Sequence, residues 1–429
     1  MQQGSYISFT YEGNELEGLV IQADEREANI KLSSGYNLVV PVSKVEAVKD
    51  LEHETPKHEK PVLEQDASLP NITILHTGGT IASKVDYETG GVDAQFEPEE
   101  LVAMFPEMLS TANITSKLVA NMWSQDMRFA HYNILARAVL EEANGNCSGI
   151  IITHGTDFIH YTSAALAFAL EDLSVPVVIV GSQRSSDRGS SDANTNLLGA
   201  LRFINERIPG VFVAMHETSD DDPIAIHDGL HVRKNHSSRR DAFVPVNAPL
   251  FGRVKNGAFE LLDETRAVAL KLNKGKKTRV MPFNEDLKVG IWKAHPQSWV
   301  EELKVYDSFD GLIIECGGLG NAPTSPIDAY TNEQHGFIRE KIRKLAKQMP
   351  VAATVQTIFG RVNLNVYSNQ REMKKMGVLG DQCDMHPETA FIKLAWLLSN
   401  QKEQVKELYG KNLRGEITPC STMEAQHTQ

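Results

Sequence analysis

Two short apolar segments, each followed by a loop of threonine and glycine, constrain the fold of this chain most strongly. The first reads Asn71-Ile-Thr-Ile-Leu-His-Thr-Gly-Gly-Thr-Ile-Ala82, and the second reads Ile150-Ile-Ile-Thr-His-Gly-Thr-Asp157. Short apolar runs of this kind are typical of strands buried in a parallel sheet. Because ligands bind at the carboxyl ends of the strands in open α/β sheets, Thr80 and Thr156 could meet over one substrate. The pattern therefore predicts an active site rather than packing alone.

Strand and helix patterns alternate from Asn71 onward, which predicts an α/β fold with a mainly parallel sheet covered on both faces. The larger predicted domain spans residues 71–285, and a reset of the pattern begins a smaller α/β domain over residues 286–429, which ends in a polar tail. The predicted helices are 130–143, 161–173, 192–206, 332–347 and 387–398. The predicted strands after the first are 149–153, 176–181, 210–214, 311–316 and 351–356.

Residues 1–50 predict a separate all-β module, built as a small meander or a partly closed barrel. Its strand-like runs are residues 7–11, 19–22, 28–32 and 37–42. Alternation in the third run places Ala28, Ile30 and Leu32 on the inward face. Residues 51–70 are acidic, contain three prolines and lack apolar periodicity, so they predict an extended linker.

Composition narrows the class of protein. The formal net charge of −13 argues against a chain that grips nucleic acid by itself, because phosphate binding requires clustered lysine and arginine. The sequence offers no apolar run long enough to span a bilayer and no secretory signal at its start. The four cysteines are scattered without metal-binding spacing. These features predict a cytoplasmic protein with no metal site of its own.

The first loop, Thr77-Gly-Gly-Thr80, is rich in glycine but lacks the Gly-Lys-Ser/Thr ending of a phosphate-binding loop. Two explanations stay open from the residues alone. The loop is either a tight structural turn or a site where glycine N–H groups approach a developing oxyanion beside a Thr80 nucleophile.

The second loop, Thr153-His-Gly-Thr-Asp157, brings a hydroxyl and a carboxylate together just before a predicted helix. A helix N-cap is the structural explanation, because threonine and aspartate are both favoured there. The chemical explanation is a nucleophile or water-activating group. It requires a base such as a desolvated lysine, and local spacing does not indicate which lysine.

Both loops together resemble the paired signatures of the bacterial-type L-asparaginases, which are threonine amidohydrolases. The similarity runs from about residue 70 to about residue 400, and it includes Asn121-Met-Trp-Ser-Gln-Asp126, Val180-Gly-Ser, Asp228-Gly-Leu-His-Val-Arg-Lys-Asn235 and Glu315-Cys-Gly-Gly-Leu-Gly-Asn321. It implies an asparaginase-like fold of two α/β domains.

The resemblance also implies site residues. Thr80 corresponds to the family's first-loop nucleophile and Tyr87 to the lid tyrosine that assists it. Thr156, Asp157 and Lys234 correspond to a second catalytic cluster. The residues that correspond to those holding the α-carboxylate and α-ammonium of the substrate are Ser124, Gln125 and Asp157. Residues 370–372 lie where the family contributes an acidic group across a subunit interface, and none of them is assigned.

The β module ahead of the first catalytic strand makes the whole chain similar to the family of D subunits of the archaeal-type glutamyl-tRNA(Gln) amidotransferases. That resemblance implies release of ammonia from Asn or Gln for a partner, the E subunit, which uses ATP and Mg²⁺ to activate Glu-tRNA(Gln). It also implies a homodimeric core, with the tRNA held mainly by the partner. A free-standing cytoplasmic L-asparaginase is the alternative function. A catalytically idle scaffold is disfavoured, because every chemical position holds a competent residue.

Overall fold

A computed structural model describes residues 1–32, 37–51, 66–79, 84–85, 92–93, 106–184, 191–273 and 275–421. Strands and helices are numbered in chain order over these residues. The strands are β1 (Tyr6–Tyr11), β2 (Asn14–Ala23), β3 (Glu27–Leu32), β4 (Asn37–Pro41), β5 (Val45–Asp50), β6 (Asn71–His76), β7 (Lys84–Val85), β8 (Val92–Asp93), β9 (Asn113–Leu118), β10 (Gly149–Thr153), β11 (Leu170–Glu171), β12 (Pro176–Val180), β13 (Gly210–His216), β14 (Ile224–Asp228), β15 (Val232–Lys234), β16 (Phe243–Pro245), β17 (Gly252–Lys255), β18 (Ala258–Leu261), β19 (Arg279–Val280), β20 (Val289–Lys293), β21 (Gly311–Cys316) and β22 (Val351–Val355). The α-helices are α1 (Phe129–Ala143), α2 (Ile159–Ala169), α3 (Ala193–Ile204), α4 (Glu264–Lys271), α5 (Asn332–Gln348), α6 (Ser368–Lys375), α7 (Pro387–Asn400) and α8 (Val405–Leu408).

The N-terminal module is an antiparallel sheet in the order β4-β3-β2-β1-β5. It has its own small core, in which Phe9, Val20 and Ile30 are fully buried. The all-β prediction is therefore confirmed, and Ala28 and Ile30 face inward as expected. The fifth strand, β5, was not predicted, because most of its side chains are exposed and its sequence shows no apolar alternation. Most of the predicted linker, residues 52–65, lies outside the described residues.

The larger domain is built on an eight-stranded sheet in the order β18-β17-β14-β13-β12-β10-β6-β9. The run from β9 to β13 is parallel, and β14, β17 and β18 extend it with antiparallel pairs. Ile150 and Ile152 of β10 face an apolar cluster that includes α1 and α2, and Ile151 faces a second cluster that includes α3. The sheet is thus covered on both faces, which explains why its central strands are apolar throughout.

The smaller domain contains the parallel sheet β20-β21-β22, with α5 and α7 packed against it. Helix α7 also packs against α2 of the larger domain, where the rings of Phe168 and Trp396 lie 5.7 Å apart. The predicted fold class, two α/β domains behind an all-β module, is confirmed. None of the helices in the described part of the chain is both long and apolar enough to cross a membrane.

Candidate active site

The candidate site lies where the order of the parallel strands reverses in the larger sheet. From β6 the chain runs outward to β9 and then returns to β10 on the other side of β6. Such a switch point opens a crevice at the carboxyl ends of the strands. The loops that follow β6, β9 and β10 therefore meet at one edge. Two hydrogen bonds join the loop after β6 to the end of β10. The backbone N–H and the side-chain hydroxyl of Thr77 both donate to the carbonyl oxygen of Thr153, at 3.1 and 2.7 Å.

Glycine is required where the loop after β6 touches the loop after β10. Gly79 has a φ of +83°, and a Cβ atom placed on it would lie 2.4 Å from the backbone nitrogen of Gly155. Both the positive φ and the close approach exclude a larger side chain here. Gly79 therefore brings the backbone of the first loop directly against the Thr156 loop. The predicted nucleophile Thr80 and the lid residue Tyr87 lie outside the described residues.

Thr156, Asp157 and Lys234 converge in the structure. The Lys234 Nζ atom donates to Thr156 Oγ1 at 2.9 Å and to Asp157 Oδ1 at 2.8 Å. The Lys234 side chain is 8% exposed, whereas that of Asp157 is 66% exposed. The lysine is therefore shielded from water, and the carboxylate faces the solvent, where a charged ligand group can reach it. This arrangement can hold a proton next to a hydroxyl and a cation next to a carboxylate at the same time.

A β-hairpin delivers Lys234 to this cluster. Strands β15 and β16 pair antiparallel, with Lys234 opposite the buried Phe243. Just beyond the pair, the N–H of Asn235 donates to the carbonyl oxygen of Ala242 at 2.7 Å. Val232, two residues before the lysine, is fully buried in the main core. The lysine is thus held by a strand anchored in the core.

The second loop does not cap the following helix with its own side chains. Helix α2 has Phe158 at its N-cap position and no side-chain cap, which excludes the N-cap explanation for Thr156 and Asp157. The N–H of Phe158 instead donates to Ser124 Oγ at 3.4 Å. Ser124 is buried, while the neighbouring Gln125 is exposed, and both line a cleft of about 400 Å³ together with Phe158. The loop after β9 therefore places two of the predicted substrate-binding residues beside the Asp157 loop.

His154, which lies inside the second motif, was not singled out from the sequence. Its Nδ1 lies 2.7 Å from the carbonyl oxygen of Gly155, and its Nε2 lies 2.9 Å from Thr162 Oγ1 in α2. Complete burial lowers the pKa of His154 to about 4, so the ring is neutral at neutral pH. With Nδ1 as the protonated nitrogen, both hydrogen bonds are satisfied. His154 therefore fixes the Thr156 loop to the helix that follows it.

A second cleft, of about 560 Å³, begins at Asp157 and Lys234 and extends to a buried carboxylate, Glu388. Arg233 donates to both oxygens of this carboxylate through its Nε, at 3.0 and 3.2 Å. Burial opposes ionisation of Glu388, but the nearby imidazoles of His160 and His386 hold the pKa of its carboxyl below its usual value. The charge of Arg233, next to Lys234 in the chain, is thus offset by a fixed anion.

The stretch 370–372, for which no acidic residue was assigned, forms part of α6. Gln370 is buried and accepts a hydrogen bond from the N–H of Tyr367 at 2.9 Å, while Glu372 pairs with Lys375 at 3.0 Å. Gln370 therefore caps the start of this helix, and Glu372 forms an ion pair within it. No group of three or more histidine, cysteine, aspartate or glutamate side chains with metal-binding geometry occurs among the described residues.

Comparisons with known proteins identify the same two-domain fold. The model of the asparaginase N-terminal domain matches residues 71–266, and that of the glutaminase/asparaginase C-terminal domain matches residues 288–408. The thermostable L-asparaginase from Thermococcus kodakarensis superposes with a TM-score of 0.71 at 29% identity, covering 82% of this chain and 100% of that one.

Relatives that match along the full length include two named as the D subunit of glutamyl-tRNA(Gln) amidotransferase. The protein from Methanococcus maripaludis strain C5 is 39% identical over 99% of this chain and 100% of its own length. The one from Thermococcus kodakarensis is 40% identical over 96% of this chain and 93% of its own length. The chain therefore belongs to the D-subunit family of the glutamyl-tRNA(Gln) amidotransferases, and it carries the two asparaginase domains behind its all-β module.

Proposed function

We propose that this chain is the ammonia-releasing component of a tRNA-dependent amidotransferase and that it works by threonine nucleophilic catalysis. One observation carries the proposal. The Lys234 ammonium is shielded from water and hydrogen-bonded to both Thr156 and Asp157, at the edge of the sheet where the loop leading to Thr80 also arrives. A shielded lysine beside a hydroxyl is the arrangement that proton transfer to or from an alcohol requires.

The reaction divides into two steps. A threonine hydroxyl attacks the side-chain carboxamide carbon of the substrate, so that a C–O bond forms, the C–N bond breaks and ammonia leaves with the hydroxyl proton. Water then attacks the resulting ester, which regenerates the threonine and releases aspartate or glutamate. Thr80 is the proposed nucleophile, with Tyr87 assisting it. Thr156, Asp157 and Lys234 exchange the proton and orient the water.

The substrate is a free amino acid, Asn or Gln. Its α-ammonium needs an anion, and Asp157 is suited to it because Lys234 engages only Oδ1 of this exposed carboxylate. The α-carboxylate needs donors, for which Ser124 and Gln125 are the proposed residues. Holding both charged ends directs the carboxamide toward the threonines. One methylene separates the two substrates, a difference that a binding site discriminates by only about 1–3 kcal/mol.

The ammonia serves a second polypeptide, the E subunit of the complex, in this proposal. That partner uses ATP and Mg²⁺ to activate the glutamate of Glu-tRNA(Gln) and holds most of the tRNA, which suits the net charge of −13 on this chain. No ATP or Mg²⁺ site is proposed on this chain itself. The complex is proposed to be cytoplasmic, with a homodimer of this chain at its core.

Isotope transfer tests the proposal directly. The chain is combined with the E subunit, Glu-tRNA(Gln), ATP and Mg²⁺, and is supplied with amide-¹⁵N-labelled Asn in the presence of excess unlabelled ammonium. The expected result is ¹⁵N in the product Gln-tRNA(Gln), abolished by Lys234→Met. Asn hydrolysis at full rate without the E subunit, and with no label in the tRNA product, would favour a free-standing asparaginase.

The role of each threonine is tested separately. Thr80→Ala is expected to stop ammonia release, whereas Thr80→Ser keeps the hydroxyl and is expected to retain part of the activity. A diazoketone analogue of asparagine, followed by peptide mass spectrometry, identifies the threonine that is alkylated. Labelling of Thr156 alone would transfer the nucleophile role to the second loop.

A further inference from the structure

The buried carboxylate of Glu388 lies between the two elements that carry the catalytic cluster. It belongs to the first turn of α7 in the smaller domain, directly after Pro387 at the start of the helix. Its side chain is 8% exposed. Neither the strand that carries Lys234 nor the Thr156–Asp157 loop belongs to that domain. A carboxylate placed there is therefore a bridge from one domain to the active site of the other.

One side of Glu388 holds the strand that presents the lysine. Arg233 Nε donates to both carboxylate oxygens, and Arg233 directly precedes Lys234 on β15. The next residue of α7 adds a second contact, because the Thr389 hydroxyl donates to the carbonyl oxygen of Leu230 at 2.9 Å. Two consecutive residues of the helix thus hold the segment that leads to Lys234.

The other side of Glu388 faces the helix that follows the Thr156–Asp157 loop. His160 lies in the first turn of α2, three residues after Asp157, and its Nε2 lies 3.7 Å from Glu388 Oε1. A further histidine, His386, lies with its Nδ1 2.8 Å from Glu388 Oε2 and fixes the rotamer of the carboxylate from within its own chain segment. One side chain therefore contacts both the strand that carries Lys234 and the helix that follows the Thr156–Asp157 loop.

We propose that Glu388 is a positioning residue that sets the distance between Lys234 and the Thr156–Asp157 pair. The proposal deepens the amidohydrolase function given above and rests on it. Proton transfer between Lys234 and a hydroxyl depends on a contact of 2.9 Å, and it weakens steeply when the two elements drift apart. Arg233 and Glu388 act through Lys234 and do not touch the substrate in this proposal. A chain with β15 released would still bind substrate through Asp157, Ser124 and Gln125 but would turn it over slowly.

The test compares three variants of the full-length chain. Glu388→Gln keeps the shape and removes the charge, and Glu388→Asp keeps the charge but shortens the reach by one methylene. The matched control is Glu416→Gln, because Glu416 forms a fully buried pair with Lys393 of α7 and has no contact with the catalytic cluster in the described part of the chain. Ammonia release from Asn gives kcat and KM, and thermal unfolding gives stability.

Glu388→Gln and Glu388→Asp are both expected to lower kcat about 10- to 100-fold, with KM for Asn changed by less than about threefold. Glu416→Gln is expected to lower the unfolding temperature and leave kcat near that of the unchanged chain. The inference is wrong if Glu388→Asp keeps full turnover. It is also wrong if Glu388→Gln and Glu416→Gln lower kcat equally, because Glu388 then stabilises the fold only. Should Glu388→Gln fail to fold, Glu388→Asp alone decides between these outcomes.

A Lys234→Met variant run in parallel separates this inference from the function on which it rests. If Lys234→Met is inactive and both Glu388 variants keep full turnover, only the positioning role fails. If Lys234→Met also keeps full turnover, the proposed chemistry itself fails.

Discussion

Replacement of Lys234 by methionine separates catalysis from stability. Methionine fills much of the same volume but cannot bond to Thr156 Oγ1 at 2.9 Å or to Asp157 Oδ1 at 2.8 Å. A positioned acid or base contributes about 10²–10⁴-fold to a rate, which corresponds to about 2.7–5.4 kcal/mol of transition-state stabilisation. The lost ion pair contributes less than about 1 kcal/mol to folding, because Asp157 is two-thirds exposed and water screens it.

The assay is ammonia release from Asn, followed by a coupled dehydrogenase, next to unfolding in urea. Lys234→Met is expected to lose at least about a hundredfold in kcat while its unfolding free energy changes by less than about 1 kcal/mol. The control is Lys304→Met, which removes an exposed lysine whose Nζ lies 2.7 Å from Glu301 on the surface of the smaller domain. Retention of more than about a tenth of the turnover by Lys234→Met would refute the proton-transfer role.

Two further predictions concern the loops and the buried histidines. Gly79→Ala places a Cβ 2.4 Å from Gly155 at a φ of +83°, so activity and thermal stability should both fall. Gly257→Ala, at a φ of +74° with open space around it, should cost only about 1–2 kcal/mol, and equal losses in the two variants would contradict the clash. Burial lowers the pKa of His154 to about 4 and that of His227 to about 3, against 6.5 for the ordinary side chain. The unfolded chain therefore binds more protons, and the stability present above pH 6.5 is lost as the pH falls, by about 1.4 kcal/mol per histidine at pH 5.5. Urea unfolding of His227→Leu should reveal a correspondingly shallower pH dependence, and an unchanged dependence would exclude His227 as its source.

Local sequence patterns predict the buried strands of the larger domain but not the pairings between distant segments. The apolar runs ending at His76 and Thr153 form neighbouring parallel strands, because their side chains are buried on both faces of the sheet. The predicted helix 161–173 is shorter in the structure and ends at Ala169. Leu170 and Glu171 leave it to pair with β19, a strand more than a hundred residues away in sequence. No local pattern reveals such a partner.

The residues of the candidate site also separate into those with a local sequence signal and those without one. Threonine, glycine and aspartate in two loops indicated chemistry, but spacing did not identify Lys234, since the β15–β16 hairpin brings it there from a distant part of the chain. Only the family resemblance pointed to it. Glu388 gave no signal in the sequence, where a glutamate in the first turn of a helix is explained by the helix dipole alone. Its contacts arise when two domains meet, and this is a property of tertiary structure.

The apolar cluster joining α2 to α7 determines how this protein responds to truncation and to heating. It extends without interruption from Leu75 of β6 to Leu394 and Trp396 in the smaller domain. Expressing either α/β domain alone would expose this shared surface to water. The two halves should consequently melt together, and heat should inactivate the enzyme only when the whole double domain comes apart. The N-terminal sheet has a separate hydrophobic core, so it need not unfold together with the two α/β domains.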